Sequence, residues 1–501
     1  MRAIVLILIM AAVAAGQPPV RSCESLKMAV FPDTTIEAAV VEPAASGRPE
    51  FCRVTAVVTH PPADDRIIVW IGLPVTGWNG RFEGVGGGGF SGGNPNGVVG
   101  PVAQGYAAGS TDTGHEGGGA GFALDSQGRL NWLLIRDNAY LGIHAMTVTG
   151  KALVQAFYGR PPQHSYFNGC STGGRQGLSE AQRYPGDYDG ILSGAPAINW
   201  TKLHVEQMWG HVVMQQLKNF LPKCKFEAAQ AAAVAACDTA DGVKDGVIEN
   251  PRSCTFDPKE LVGTPTADCG DFTGLDAEVI RRIWQGPRRQ DGSFLWYGLQ
   301  RGADFAGLTS TGGTPLTGRP NPITMGWWRF FLTQNPQWDW SVLTPTLYEQ
   351  YWDQSVEEFS AVLATDNPDL TAFRDRGGRI VLWHGWWDQL IYPEGTIDYY
   401  ERVQKQLGGA ANAAKFARLF MAPGVAHCAG GVGPQPSGQF DAVVRWVEQG
   451  QAPDVLNAVR RDASGNIVRS RPLCQFPQVA QYRGTGSTDE AVNFVCAPQP
   501  R

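Results

Sequence analysis

Residues 164–185 read HSYFNGCSTGGRQGLSEAQRYP. The piece SYFNG (165–169) suits a short strand, and GRQGLSEAQRYP (174–185) suits a helix stopped by Pro185. Between them Gly169–Gly173 matches Gly-x-Ser-x-Gly, which holds a serine on a sharp strand-to-helix turn. GILSGAP (190–196) follows as the next strand. Strand, turn, helix, strand is the setting in which Ser171 becomes a nucleophile.

A serine hydroxyl attacks only when an imidazole takes its proton, and a carboxylate fixes that imidazole's tautomer. In an α/β-hydrolase the three follow in the order serine, acid, histidine, at strand ends. RIVLWHG (379–385) reads as a buried strand, and Asp388 follows it. FARLFMAP (416–423) is another strand, and His427 follows in a glycine-rich loop. Glu394 and Asp398 compete with Asp388 but fall in a helix spanning about 393–407, where they are expected to face solvent. His115, His144 and His384 fit core or surface roles. The predicted class is therefore α/β, an α/β-hydrolase core, with Ser171, Asp388 and His427 as its triad.

The developing oxyanion needs N–H donors. One is expected from Thr172, the other from the loop GVGGGGF (84–90), at Gly88 or nearly equally Gly87.

Ser171 and His427 each adjoin a cysteine, Cys170 and Cys428. If the two reacting side chains meet at about 3 Å, their neighbours fall within disulfide range, so a Cys170–Cys428 bridge is expected.

The chain has 501 residues, 43% hydrophobic and 18% charged, which fits a large globular protein. A net charge of −6 argues against nucleic acid as a partner. The opening MRAIVLILIMAAVAAG (1–16) reads as a signal peptide, too short to span a bilayer comfortably, so a secreted or periplasmic protein with no membrane partner is expected. The ten cysteines are then expected to be paired.

Residues 17–198 read as the first part of the core. Residues 199–375 read as an inserted lid domain without βαβ rhythm. Residues 376–501 read as the second part of the core with an irregular tail. Strands are expected at 51–60 and 66–75 and a helix over 132–159, with WNGRFEGVGGGGF read as glycine loop.

The segments GCSTGGRQG, HGWWDQLI and GVAHC, with WNGRFEGVGGGGF, GYAAGSTDTGH and YDGILSGAPA, resemble the tannase and feruloyl esterase family over most of the chain. The resemblance implies the hydrolase core with a large lid, the same triad and the Cys170–Cys428 bridge. It implies hydrolysis of aromatic-acid esters: feruloyl esters first, with tannase or mono-hydroxyethyl terephthalate hydrolase as alternatives. The substrate is then a small aromatic ester or a phenolic ester of a plant polymer. The rival from another class is a non-catalytic, calcium-stabilised extracellular binding protein on a hydrolase scaffold.

The resemblance also gives meaning to the acidic turn CDTADGVKDGVIENPRSC (237–254). Asp238, Asp241 and Asp245, with the Val243 and Val247 carbonyls, would surround a structural calcium, and Cys237 and Cys254 would bridge the turn. Cys474–Cys496 matches a family spacing. Cys23–Cys52 is expected from nearness in sequence, leaving Cys224–Cys269, although Val262 stands near where relatives often carry another cysteine. For the acyl ring, lid aromatics such as Trp296, Tyr297, Trp327, Trp328 and Phe330 could stack. Arg301 and Arg319 are candidates for binding a substrate carboxylate.

Overall fold

A computed structural model describes residues 18–498; the expected signal peptide lies outside the described residues. Nine strands form the central sheet. They are β1 (Thr34–Glu42), β2 (Phe51–Val58), β3 (Ile67–Pro74), β4 (Arg81–Val85), β5 (Ala107–Thr111), β6 (His164–Cys170), β7 (Gly190–Gly194), β8 (Arg379–Gly385) and β9 (Ala417–Ala422). Their spatial order is β1-β2-β3-β5-β4-β6-β7-β8-β9. From β5 to β9 every pairing is parallel, while β1, β2 and β3 extend the sheet in antiparallel fashion. A mostly parallel sheet is covered on both faces, so its strands are buried runs rather than alternating ones. β7 and β8 show this, the first buried throughout and the second buried after Arg379.

Four helices are central to the cover: α1 (Gly142–Tyr158), α2 (Thr172–Arg183), α3 (Glu394–Gln406) and α4 (Gln439–Gln449). α4 ends at Gly450 in the left-handed region, which glycine adopts without a Cβ penalty. The helix expected over 132–159 is interrupted. Trp132–Arg136 is α-helical, Asp137–Leu141 forms a π turn, and α1 follows.

Two expectations need correction. WNGRFEGVGGGGF is not all loop, because RFEGV is β4, a central strand. Its Gly84 is needed where Tyr188 crosses, since a Cβ there would lie 2.2 Å from the tyrosine hydroxyl oxygen. The tail is not irregular either. Val455–Arg461 pairs with Ile467–Cys474, and Gln478–Tyr482 with Phe494–Pro498, all antiparallel.

Between β7 and β8 the chain leaves the sheet. It forms helices including Trp200–Glu206, Lys223–Cys237, Gly274–Gln285 and Pro345–Leu363. Aromatic packing fills this region. Trp327 stacks on Phe331 at 4.4 Å and Trp328 on Trp338 at 5.2 Å.

Candidate active site

β6 ends at Cys170, and the chain reverses into α2 through Ser171, which sits at φ 63°, ψ −124°. A non-glycine residue there is strained by about 1–3 kcal/mol and persists only where its surroundings enforce it. Here the Ser171 N–H donates to the Gly194 carbonyl at 3.0 Å, and the Ser171 carbonyl accepts from Arg175 at 3.0 Å. The flanking glycines follow from the same crossing. A Cβ on Gly169 would lie 2.4 Å from the Gly173 carbonyl carbon.

The glycine loop after β4 lies against the start of α2. Gly173 N–H donates to the Gly87 carbonyl at 3.0 Å, and Thr172 Oγ1 donates to the Gly89 carbonyl at 2.6 Å. The Gly87 N–H is already engaged, donating to Gln176 Oε1 at 2.9 Å. Gly88 stands in open space, where an added Cβ would meet nothing within 4 Å. Thr172 is the first residue of α2, and N–H groups in a first turn have no intrahelical acceptor.

His427 Nδ1 lies 2.8 Å from Asp388 Oδ2. Asp388 is fully buried and held by four hydrogen bonds. Its Oδ1 accepts from the Leu390 and Ile391 N–H groups at 2.9 and 2.8 Å; its Oδ2 accepts from His427 and from His384 Nε2, the latter at 2.9 Å. His384 Nδ1 in turn meets Thr396 Oγ1 at 2.9 Å. Burial disfavours the Asp388 charge, but the His427 charge and the imidazole hydrogen bonds outweigh it and hold the carboxyl below its ordinary range. Burial also works against a charged His427, yet the Asp388 carboxylate prevails and raises the ring above the ordinary histidine value.

Cys170 and Cys428 are bonded, with Cα atoms 5.9 Å apart. The Cys428 sulfur lies 3.7 Å from His427 Nε2, so that nitrogen faces the bridge that leads to Ser171's neighbour. The remaining cysteines pair as Cys23–Cys52, Cys224–Cys269, Cys237–Cys254 and Cys474–Cys496.

Ser171, Thr172, Gly89 and His427 line one cavity of about 50 Å³. Leu390 and Ile391, from the loop after β8, add to its core side. Trp200, Leu203, His204, Gln207, Asn321 and Ile323 close it from the inserted segment.

Other expected site residues lie elsewhere. Trp296 borders a separate cavity of about 10 Å³ and carries Lys202 over its ring at 4.8 Å. Trp327 is fully buried. Arg301 donates to the Phe256 carbonyl at 3.1 Å and covers the Trp284 ring. Arg319 packs against Gly312. None of the four lines the cavity with Ser171. Tyr297, Trp328 and Phe330 are absent from its lining as well. Glu394, expected to face solvent, is buried and paired with Arg252 Nε at 2.8 Å. Sequence reasoning also missed His384 as a partner of Asp388; four-residue spacing across a turn was the available signal.

In the acidic turn Asp238 is buried, and its Oδ1 accepts from the Asp245, Gly246 and Val247 N–H groups at 3.0–3.2 Å. Asp241 Oδ1 accepts from Val243 at 2.9 Å, and Asp245 Oδ2 meets Arg471 Nη2 at 2.7 Å. Burial, with the Asp245 and Asp238 charges, pushes the Asp241 carboxyl up to about 6. Arg471 already neutralises Asp245, and the three carboxylates are not among the groups whose ligand atoms lie within 4.8 Å of one another. Tighter groupings of metal-ligating atoms among the described residues occur elsewhere, at His60, Asp65 and Asp137 and at His144, Glu180 and Asp187.

The sheet order and the sharp serine turn define the class as α/β-hydrolase. A family model described as tannase and feruloyl esterase matches residues 52–497. The chain belongs to the tannase and feruloyl esterase family, a family of esterases. It is 40% identical over 463 residues to a probable feruloyl esterase of Arthroderma benhamiae, covering 89% of this chain and 86% of that one. It is 30% identical to the mono(2-hydroxyethyl) terephthalate hydrolase of Piscinibacter sakaiensis, covering 96% and 92%. The crystal structure of feruloyl esterase B from Aspergillus oryzae superposes with a TM-score of 0.84 at 26% identity, covering 95% of this chain and 99% of that one.

Proposed function

We propose that the protein is an exported serine esterase that hydrolyses esters of phenolic acids, feruloyl esters foremost, through an acyl-enzyme. One observation carries this reading: a strained serine and an Asp-anchored histidine border the same cavity, with their backbones joined by a disulfide. His427 donates from Nδ1 to Asp388, which leaves the Nε2 lone pair to take the Ser171 proton. The serine oxygen attacks the ester carbonyl. Thr172 N–H and an N–H from the Gly88–Gly89 stretch receive the oxyanion. His427 then protonates the departing alcohol and later activates water.

Arg301 and Arg319 lie away from the cavity, and its lining contains no lysine or arginine. That composition favours an uncharged aromatic acyl group over terephthalate, whose free carboxylate calls for a paired cation. The turn at Asp238, Asp241 and Asp245, with the Val243 and Val247 carbonyls, would hold calcium as a structural ion; a Cβ on Gly424, in the loop that carries His427, would lie 3.0 Å from Val247 Cγ2. Five disulfides fit an oxidising compartment outside the cytoplasm. Among the described residues no helix is long and apolar enough to cross a membrane.

The test is methyl ferulate hydrolysis together with labelling by a fluorophosphonate. Ser171→Ala is expected to lose both, leaving folding intact. A Ser171→Ala protein that still hydrolyses the ester overturns the serine mechanism. A wild-type protein that neither reacts with the probe nor cleaves the ester supports the binding-protein rival.

A further inference from the structure

The loop joining β2 to β3 contains HPPADDR (60–66). Its Asp65 side chain is fully buried, while the His60 side chain stays 40% exposed. The two face each other. Asp65 Oδ1 accepts from the His60 backbone N–H at 2.7 Å, and Asp65 Oδ2 lies 2.5 Å from His60 Nδ1. A third group arrives from another part of the chain. The π turn Asp137–Leu141, just ahead of α1, carries Asp137 at its first position. Asp137 is fully buried, and among the described residues neither of its carboxylate oxygens has a hydrogen-bond partner. One ligand atom from each of His60, Asp65 and Asp137 lies within 4.8 Å of the other two.

Buried charges are normally paired, and buried carboxylate oxygens are normally bonded. Two neighbouring arginines are engaged elsewhere. Arg136 donates to the Trp132 carbonyl at 3.2 Å, and Arg66 pairs with Glu37 at 2.9 Å. Asp112 adds negative charge near Asp137, and its own Oδ1 is held by the Ile68 and Gly114 N–H groups at 2.8 Å. Burial, and then the Asp65 charge, push the Asp137 carboxyl up to about 7. A divalent cation answers all of this at once. Two carboxylates balance its charge, and an imidazole nitrogen gives it a third bond. π turns recur at functional sites, and this one aims a bare carboxylate at the other two ligands.

We propose that His60, Asp65 and Asp137 form a site for a zinc-class divalent cation. Imidazole with carboxylate suits zinc and its first-row neighbours, whereas calcium takes an all-oxygen shell. The site therefore differs in chemistry from the acidic turn at 238–247. Water completes the shell on the side where His60 is exposed, and that side is the ion's way in. The ion ties the β2–β3 loop to the π turn. The next residue of that turn, Asn138, donates to the Phe90 carbonyl at 2.9 Å and to Thr113 Oγ1 at 3.1 Å, so the tie reaches the end of the glycine loop.

The experiment titrates the full-length protein, stripped by a chelator and dialysed, with Zn²⁺ alone in buffer holding excess Ca²⁺. Calorimetry reads binding, and the melting temperature is followed in parallel. Wild type is expected to bind Zn²⁺ despite the Ca²⁺ and to melt higher with it. Asp137→Asn, which keeps the side-chain shape, and His60→Ala, at the half-exposed wall, are each expected to weaken that binding by about 100-fold or more and to remove the rise in melting temperature. A wild-type protein that binds no Zn²⁺, or loses it to Ca²⁺, overturns the site. Variants that bind as tightly as wild type overturn it too, since the zinc then sits elsewhere, as at His144, Glu180 and Asp187. If Asp137→Asn does not fold, His60→Ala decides alone.

Discussion

Replacing both Cys170 and Cys428 with alanine separates two things the bridge can do. The first is to stabilise. The cysteines are 258 residues apart, and closing a loop of that length removes about 5.5 kcal/mol of unfolded-chain entropy at 25 °C. The nested Cys224–Cys269 bridge shortens the effective loop by 45 residues, but the logarithm changes the result by only about 0.2 kcal/mol. The second is to position. Ser171 and His427 hang from adjacent residues of one covalent link, and Cys428 itself is held at φ 59°, a conformation non-glycine residues seldom adopt. Without the link the His427 loop is free to relax, and a displacement of about 1 Å costs on the order of 100-fold in rate. The control is Cys23→Ala with Cys52→Ala, whose 29-residue separation predicts a loss of about 3.6 kcal/mol far from the site. Urea titration measures both stabilities, and turnover of methyl ferulate under conditions where each variant is folded measures kcat. The active-site pair is expected to lose stability and about 100-fold in kcat, and the control pair to lose stability alone. If the Cys170/Cys428 variant, once folded, keeps kcat within about threefold of wild type, the positional reasoning is refuted.

Two further outcomes follow from the site's charges. His427 is inactive as a base when protonated, and Asp388 raises its pKa, so kcat/KM is expected to rise with pH through a value above the ordinary histidine pKa of about 6.5. Asp388→Asn is expected to lower kcat by about 10⁴-fold and to move that acid limb downward; a limb that stays in place contradicts the electrostatic account. If the acidic turn holds calcium, adding a chelator is expected to lower the melting temperature, corresponding to about 2.7 kcal/mol when calcium had been at 100 times its Kd. Asp241→Asn is expected to weaken that dependence, and a melting temperature unchanged by chelation rules the ion out.

The elements that carry the proposed chemistry were legible because their signals are local. A strand, a glycine-flanked serine and a Pro-stopped helix lie within residues 164–185, and the structure places β6, the turn and α2 there. β8 and β9 likewise fall where apolar runs put them. β4 and β5 were not legible. RFEGV and AAGST are short and contain glycine, because helix and strand side chains press onto the sheet there. A Cβ on Gly109 would lie 2.4 Å from the Met146 sulfur. Residues chosen for such close approach lack the β-branched signature that marks a strand. The tail's strands were hidden for the opposite reason. Val455–Arg461 alternates buried and exposed positions over its first half, but its polar outward residues read as loop.

The cavity wall was the part sequence could not give, and its physics explains why. Trp200, His204 and Gln207 come from one segment of the insert, Asn321 and Ile323 from another, and Leu390 from the loop after β8. No spacing rule links them, since only the folded insert brings them over Ser171. The aromatics that looked ring-binding in sequence are the ones the insert uses to hold itself together: Trp327 and Trp328 have no exposed surface. A large apolar ring gains most by complete burial, so the most conspicuous aromatics tend to be consumed by the core. What remains at the wall is less conspicuous: a histidine whose proton is pinned to one nitrogen by a glutamine that is itself pinned by a carbonyl.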